Sequence, residues 1–239
     1  MASDEVRTER VMMLRFIKSM LLMQLFLLLS GCAHLPEYAR PHIMEIDNKK
    51  EGLKKEITYR QLTVDDFKAL KLQENIEPNA KSISAHTCCR IRVAKDSKFM
   101  ITGGYLNQQI YYFGSIKYVA FEAVMDPECS WLNPKISGKK LEYVLEHEQI
   151  HFALMEIAAR KLTQEARKEA KTFIAIQSTY ENTRKEISAK IRGMLRSANQ
   201  AALKEHTSFD EDTSLGFNPE SQRRWLDWIE DELFKKGLK

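Results

Sequence analysis

Hydrophobic positions follow two different patterns along the chain, and the first of them predicts strands. Between Ser82 and about Met125 the sequence is rich in Ile, Val, Tyr, Phe and Thr, with glycines at Gly103, Gly104 and Gly114. β-Branched and aromatic runs bounded by turn residues are typical of short strands joined by hairpins. We therefore expect three to five antiparallel β-strands here, with a hairpin turn at the two adjacent glycines.

The second pattern is helical. From Lys135 to Asn218 there is no proline, and glycine occurs only at positions 138, 193 and 216. This stretch predicts at least two long helices between about Gly138 and His206, although no residue marks the break between them. Strands followed by helices are typical of an α+β fold. The predicted architecture is thus an N-terminal antiparallel β-sheet followed by long helices.

Capping residues predict two shorter helices. Thr63 is a candidate N-cap for a helix containing Phe67 and Leu70. Near the end of the chain, Asn218 is the expected N-cap and Pro219 the first helical residue. The apolar face of this last helix consists of Trp225, Trp228, Ile229 and Leu233.

The N-terminal segment predicts export. Arg15 and Lys18 precede an apolar run from Met20 to Leu29, and two small residues then precede Cys32. A basic region, an apolar region and a small-residue cleavage site form a secretory signal, and the run is too short for a comfortable membrane span. The expected organisation is a signal peptide over residues 1–31, a tether over 32–55 and one domain over 56–239.

The end of this signal, Leu29-Ser30-Gly31-Cys32, resembles the bacterial lipobox. The resemblance implies that Cys32 becomes the first mature residue and carries lipid, which anchors a protein without a transmembrane helix. Ala33 follows the cysteine, and similarity to enterobacterial sorting then implies the periplasmic face of the outer membrane. The alternative is an ordinary signal followed by a free cysteine.

Composition is that of a globular domain. Charged residues make up 29% and hydrophobic residues 44% of the 239 positions, enough apolar content for a core. The formal net charge is only +4, and basic residues alternate with acidic ones along the predicted helices. A nucleic-acid partner is therefore not expected.

Three further cysteines follow Cys32. In an exported protein they meet an oxidising compartment, so Cys129 is expected to pair with Cys88 or Cys89 and to leave one thiol free. Neighbouring residues in a strand point to opposite faces, so only one of the adjacent pair can face Cys129.

The strongest chemical signal lies in the predicted helical half. His147 and His151 are four residues apart, so on a helix both imidazoles can reach one metal ion. Glu148 lies next to the first histidine and can act as general base toward a metal-activated water. Catalytic zinc takes three protein ligands, so this reading requires a third one. The simpler alternative is a pair of surface histidines on an amphipathic helix.

The segment "HEQIHFALMEIAARKL" resembles the signature of a bacterial family of secreted, predicted zinc-dependent proteases of the zincin class. Weaker similarity extends over "LTVDDFKAL", "SAHTCCRIRV", "SWLNP" and "SFDEDTSLGFNPESQRRW", so it covers most of Tyr59 to Leu233. The resemblance implies Zn²⁺ as cofactor, His147 and His151 as its ligands and Glu148 as the catalytic base. At the family's late histidine this chain has Leu215.

Several residues are candidates for the third ligand. Asp210 and His206 are favoured, since they lie in the segment that resembles the family's late motif. Glu169, Glu181 and Glu186 remain alternatives on the predicted helices. The sequence leaves the choice open.

These observations favour a lipid-anchored zinc metallopeptidase of the cell envelope that hydrolyses peptide bonds of a protein or peptide substrate. One alternative is a catalytically inactive structural or adaptor lipoprotein, which Leu215 supports. Another is a peptidoglycan amide hydrolase that uses the same metal chemistry. The sequence carries no signal for the oligomeric state.

Overall fold

The computed structural model describes residues 42–44, 56–72, 83–213 and 218–235. The predicted signal peptide, Cys32 and Leu215 lie outside these residues. The strands are β1 His42–Met44, β2 Ile57–Thr58, β3 Ala85–His86, β4 Cys89–Val93, β5 Lys98–Leu106, β6 Gln109–Tyr118, β7 Phe121–Met125, β8 Trp131–Leu132 and β9 Ile174–Gln177. The α-helices are α1 Gly138–Ala170, α2 Tyr180–Asp212 and α3 Pro219–Glu230, which continues as a π-helix, Asp231–Lys235.

The strands form three antiparallel sheets. Their orders are β1-β5-β6-β9, β2-β7-β4 and β3-β8. Five strands, β3 to β7, lie between Ala85 and Met125, and the long helices follow. The predicted α+β class is confirmed. Strand β1 belongs to the segment that was predicted as tether and pairs with β5.

The predicted hairpin turn is wrong. Gly103 and Gly104 lie inside β5, and the turn is made by Asn107 and Gln108, whose φ angles are 50° and 65°. Two consecutive residues with positive φ produce the twist that two-residue hairpins require. Gly104 instead allows close packing, because a Cβ at this position would lie 3.1 Å from the Phe113 ring.

The prediction that the chain is entirely helical after Lys140 is also wrong. After α1, Ile174–Gln177 forms β9, which pairs with β6 at the edge of the four-stranded sheet. Ala175 is fully buried between two exposed isoleucines. An alternation over only four residues is too short to distinguish from the neighbouring helical pattern.

The early helix is shorter than predicted. It is a 3₁₀-helix over Val64–Asp66, in which the Asp66 carboxylate accepts a hydrogen bond from the Thr63 N–H at 2.8 Å. Phe67 is already extended, and Leu70 is fully exposed. The last helix begins as predicted: the Asn218 side chain accepts from the Ser221 N–H at 3.1 Å.

Helices α1 and α2 pack on the sheets through a continuous apolar core. From α1, Phe152 and Ala159 are fully buried, and from α2 Ile187 is too. The Thr163 hydroxyl accepts a hydrogen bond from the Phe121 N–H at 2.8 Å, which joins α1 to β7. This packing fixes the position of α1, the helix that carries the histidine pair.

Among the described residues, no helix is both long and apolar enough to cross a bilayer.

Candidate metal centre

The two histidines of α1 and one aspartate of α2 converge on a single point. His147 Nε2 lies 3.2 Å from His151 Nε2, and Asp210 Oδ1 lies 3.3 Å from the first nitrogen and 3.1 Å from the second. The three atoms thus form a nearly equilateral triangle. This group of side chains could hold a metal ion.

Helix geometry brings these residues together. His147 and His151 are one turn apart, so their rings share a face of α1. Strand β9 reverses the chain, and α2 returns along α1, so that Asp210 near its end faces the histidines. Burial of one face of α2 against α1 and the sheets therefore determines the third corner.

An aromatic side chain packs against both histidine rings of the centre. Phe209 is fully buried, and its ring centroid lies 4.4 Å from that of His147 and 5.0 Å from that of His151. Trp225 of α3 lies against the other edge of Phe209, at 5.6 Å. Phe209 was not predicted as a site residue from the sequence, although it directly precedes the ligand candidate Asp210.

The electrostatics favour an ionised aspartate. Burial alone would raise the pKa of Asp210, but the hydrogen bonds from His147 and His151 outweigh it and hold the pKa below its ordinary range. Burial would lower the pKa of His151, and its hydrogen bond to Asp210 reverses that effect and raises the pKa. A negative oxygen therefore faces the position that a cation would occupy between the three ligand atoms. The Asp210 side chain is 37% exposed, whereas that of His147 is 10% exposed.

His206, the other favoured candidate for the third ligand, lies behind His151. The two Nδ1 atoms are 2.9 Å apart, and the rings are nearly parallel, at 11°. Burial and the neighbouring His151 together lower the pKa of His206 to about 4, against the opposing charge of Asp210. The Nδ1 of a neutral His206 can accept a hydrogen bond from the His151 Nδ1–H, which would fix the His151 tautomer whose Nε2 is free to coordinate.

Glu148 directly follows His147 in α1, and its carboxylate is held by a residue from the strand half of the chain. Glu148 is buried, with 5% of the residue exposed. Its Oε2 accepts a hydrogen bond of 2.5 Å from the Thr87 hydroxyl. Thr87 directly follows β3 and is 61 residues from Glu148 in the sequence. No local pattern in the sequence predicts this contact.

Comparison with protein-family models, with curated proteins and with solved structures finds no match to this chain. The functional reading therefore depends on the residues of the site themselves.

The remaining ligand candidates lie elsewhere. Glu169 at the end of α1 forms an ion pair with Lys190. Glu181 pairs with Arg184 at 3.7 Å, and Glu186 accepts a hydrogen bond from Gln177 at 2.7 Å. The structure does not bring these three carboxylates to the histidine pair.

The structure shows which of the two adjacent cysteines pairs with Cys129. Cys88 and Cys129 form the disulfide, with Cα atoms 5.7 Å apart, and Cys89 is a free thiol. Burial and the charge of Glu148 together raise the pKa of Cys89 to about 12. A thiol with so high a pKa is a poor metal ligand or nucleophile.

Proposed function

We propose that this protein is a zinc-dependent peptidase of the bacterial cell envelope that hydrolyses amide bonds in proteins or peptides. The observation that carries the proposal is the convergence of His147, His151 and Asp210, together with the buried Glu148 that directly follows His147. Two imidazoles and one carboxylate are the donor set of a catalytic zinc site with an open fourth position. The adjacent glutamate is the general base that such a site needs.

The separations fit zinc. Nitrogen and oxygen ligands lie about 2.0–2.2 Å from a tetrahedral zinc ion, which places neighbouring ligand atoms roughly 3.3 Å apart. The three observed distances are 3.1, 3.2 and 3.3 Å. Hydrogen bonding alone accounts for them less well, because two N–H groups that both donate to Asp210 would leave the contact between the histidine nitrogens without an attraction.

His147, His151 and Asp210 would hold the ion. Zinc bound there would lower the pKa of a water molecule to about 7 and polarise the scissile carbonyl. Glu148 would take a proton from the attacking water and return it to the leaving amine. His206 would keep His151 in the tautomer whose Nε2 can coordinate.

Asp210 also bears on the alternative of an inactive adaptor. The main support for that reading is Leu215, where a relative of the predicted type would offer histidine. A carboxylate already fills the third corner in this chain, so no histidine at position 215 is needed to complete it. The amide hydrolase hypothesis remains, because the same chemistry acts on any amide.

The decisive experiment compares the wild-type domain with Glu148→Gln. We expect one bound zinc per chain in both proteins by elemental analysis, and cleavage of unfolded protein by the wild type alone. A wild-type domain that retains no zinc after dialysis would contradict the proposal. Release of peptides from isolated sacculi, with no cleavage of unfolded protein, would instead favour peptidoglycan as substrate.

We propose further that the enzyme is lipid-anchored through Cys32 at the periplasmic face of the outer membrane. The lipobox-like segment before Cys32 supports this. Incorporation of labelled palmitate into the wild type, and its loss in Cys32→Ser, would be the expected result. Equal labelling of both proteins, or of neither, would count against the anchor.

A further inference from the structure

We propose that Thr87 is a positioning residue that fixes the orientation of the Glu148 carboxylate and leaves Oε1 as the oxygen that meets the reacting water. The inference rests on the proposed function and assigns a residue outside α1 to it. The Thr87 hydroxyl donates to Glu148 Oε2 at 2.5 Å. Hydrogen bonds of this length are typical of a hydroxyl that donates to an ionised carboxylate.

The bond selects between the two carboxylate oxygens. Among the residues that the structure describes, Thr87 is the hydrogen-bond partner of this side chain, and the bond uses Oε2. The terminal torsion of glutamate is broad and roughly two-fold, so without such a bond either oxygen could turn toward the metal centre. With Oε2 held, Oε1 remains available to accept a proton.

The segment that carries Thr87 is anchored on both sides. Before it, His86 of β3 pairs with Trp131 of β8. After it, the Cys88 N–H donates to the Ser130 hydroxyl at 2.9 Å, and the Cys88 carbonyl accepts from the Asp126 N–H at 2.9 Å.

The disulfide from Cys88 to Cys129 adds a covalent link to the same loop. None of these anchors is on α1. The segment that carries the threonine hydroxyl is therefore held by groups outside the helix that carries Glu148. A fixed external donor is what holds a catalytic group within the narrow range of productive geometries.

The consequence is specific to the chemical step. The hydrogen bond of the Thr87 hydroxyl goes to Glu148 and not to a residue of the metal-binding group, so its hydroxyl should not matter for metal binding. A carboxylate that is free to rotate would spend less time aligned with the water, and misplacement by about 1 Å can cost on the order of a hundredfold in rate. Loss of the hydroxyl should therefore lower kcat and leave KM unchanged.

The test compares Thr87→Val, which keeps the shape but removes the hydroxyl, with Thr87→Ser, which keeps the hydroxyl. A matched control is Thr102→Val, another half-buried threonine, on β5. We expect Thr87→Val to lower kcat by roughly 10- to 100-fold with KM within about twofold and one zinc per chain. Thr87→Ser and the control should stay close to the wild-type kcat. A wild-type kcat in Thr87→Val, or a serine variant as impaired as the valine variant, would overturn the proposal.

A second measurement does not depend on activity. With ¹³C-labelled glutamate carboxylates, the Glu148 resonance is identified by its loss in Glu148→Gln. Thr87→Val should shift this resonance, and Thr87→Ser and Thr102→Val should leave it in place. A shift in a domain that cleaves no substrate would support the positioning bond while the proposed peptidase fails. An unshifted resonance would overturn the inference, whatever the enzyme does.

Discussion

At the scale of single residues, the centre is defined by which side chain forms the third corner. Asp210 meets both Nε2 atoms directly, whereas His206 meets only the far side of His151. The sequence found the two α1 histidines because their spacing is local, and it placed Asp210 and His206 in one short segment. It could not rank them, since residues 206 and 210 are themselves one helical turn apart and only the packing of α2 decides which faces the metal.

Asp210→Ala should remove a ligand. We expect zinc affinity to fall by more than about a hundredfold, because the loss exceeds the 10- to 100-fold effect typical of partners outside the coordination sphere. Competition with a chromophoric chelator measures this affinity. Glu211→Ala is the control, since it removes an exposed charge at the next position. Equal affinity of the two variants would exclude Asp210 as a ligand.

His206→Ala should have a smaller effect on the same measurement. The variant keeps all three ligand atoms but removes the partner of His151 Nδ1. We expect zinc affinity to fall by about 10- to 100-fold, the range for residues that orient a metal-binding histidine. Thr207→Ala, an exposed neighbour on α2, should retain wild-type affinity. A loss larger than that of Asp210→Ala would show that His206, and not Asp210, coordinates the ion.

At the scale of elements, close packing between strands and helices explains why the strand ends predicted from glycines are wrong. Glycine is typical of turns, so Gly103, Gly104 and Gly114 predicted strand ends. All three lie inside strands, and the φ angles that make the hairpin belong to Asn107 and Gln108. The helical half was easier to predict because α1 and α2 are 33 residues each. Contacts between a strand and a helix that is distant in sequence leave no local signal.

Gly114→Ala should destabilise the domain. A Cβ at this position would lie 2.6 Å from Thr183 Cγ2 and 2.8 Å from Ile187 Cδ1, so α2 would have to move away from β6. We expect the free energy of unfolding to fall by about 1–3 kcal/mol, as for other overpacked cores. Chemical denaturation measures this value.

The matched substitution is Gly193→Ala, inside α2, where a Cβ would meet nothing within 4 Å. Alanine is the better helix former, so this change should raise the free energy of unfolding by about 0.5–1 kcal/mol. The opposite signs separate steric crowding from the general effect of replacing glycine. Destabilisation by both variants to the same degree would contradict the packing argument.

At the scale of the whole domain, the centre combines both halves of the chain. Helices α1 and α2 contribute the metal-binding group, and the strand half contributes Thr87, the partner of Glu148. The disulfide holds this strand segment to the loop before β8, across a sequence separation of 41 residues. The sequence predicted the pairing only up to a choice of two cysteines, because the side of β4 that faces Cys129 is set by the register of β4 with β7.

This arrangement predicts very different reactivities for the cysteines of the folded domain. Cys88 and Cys129 are oxidised, and the remaining thiol, Cys89, has its pKa raised from 9.0 to about 12 by burial and by Glu148. Only the thiolate is reactive, so at pH 7 a domain that begins after Cys32 should react with iodoacetamide on the order of a thousandfold more slowly when folded than when unfolded.

Mass spectrometry of the alkylated protein should show one modified cysteine after unfolding without reductant. Reduction before unfolding should give three, and it should also remove about 4 kcal/mol of stability by the chain-entropy model for a loop of this length. Rapid alkylation of the folded domain, or three modified cysteines without reductant, would contradict the assignment of the disulfide and of the buried thiol.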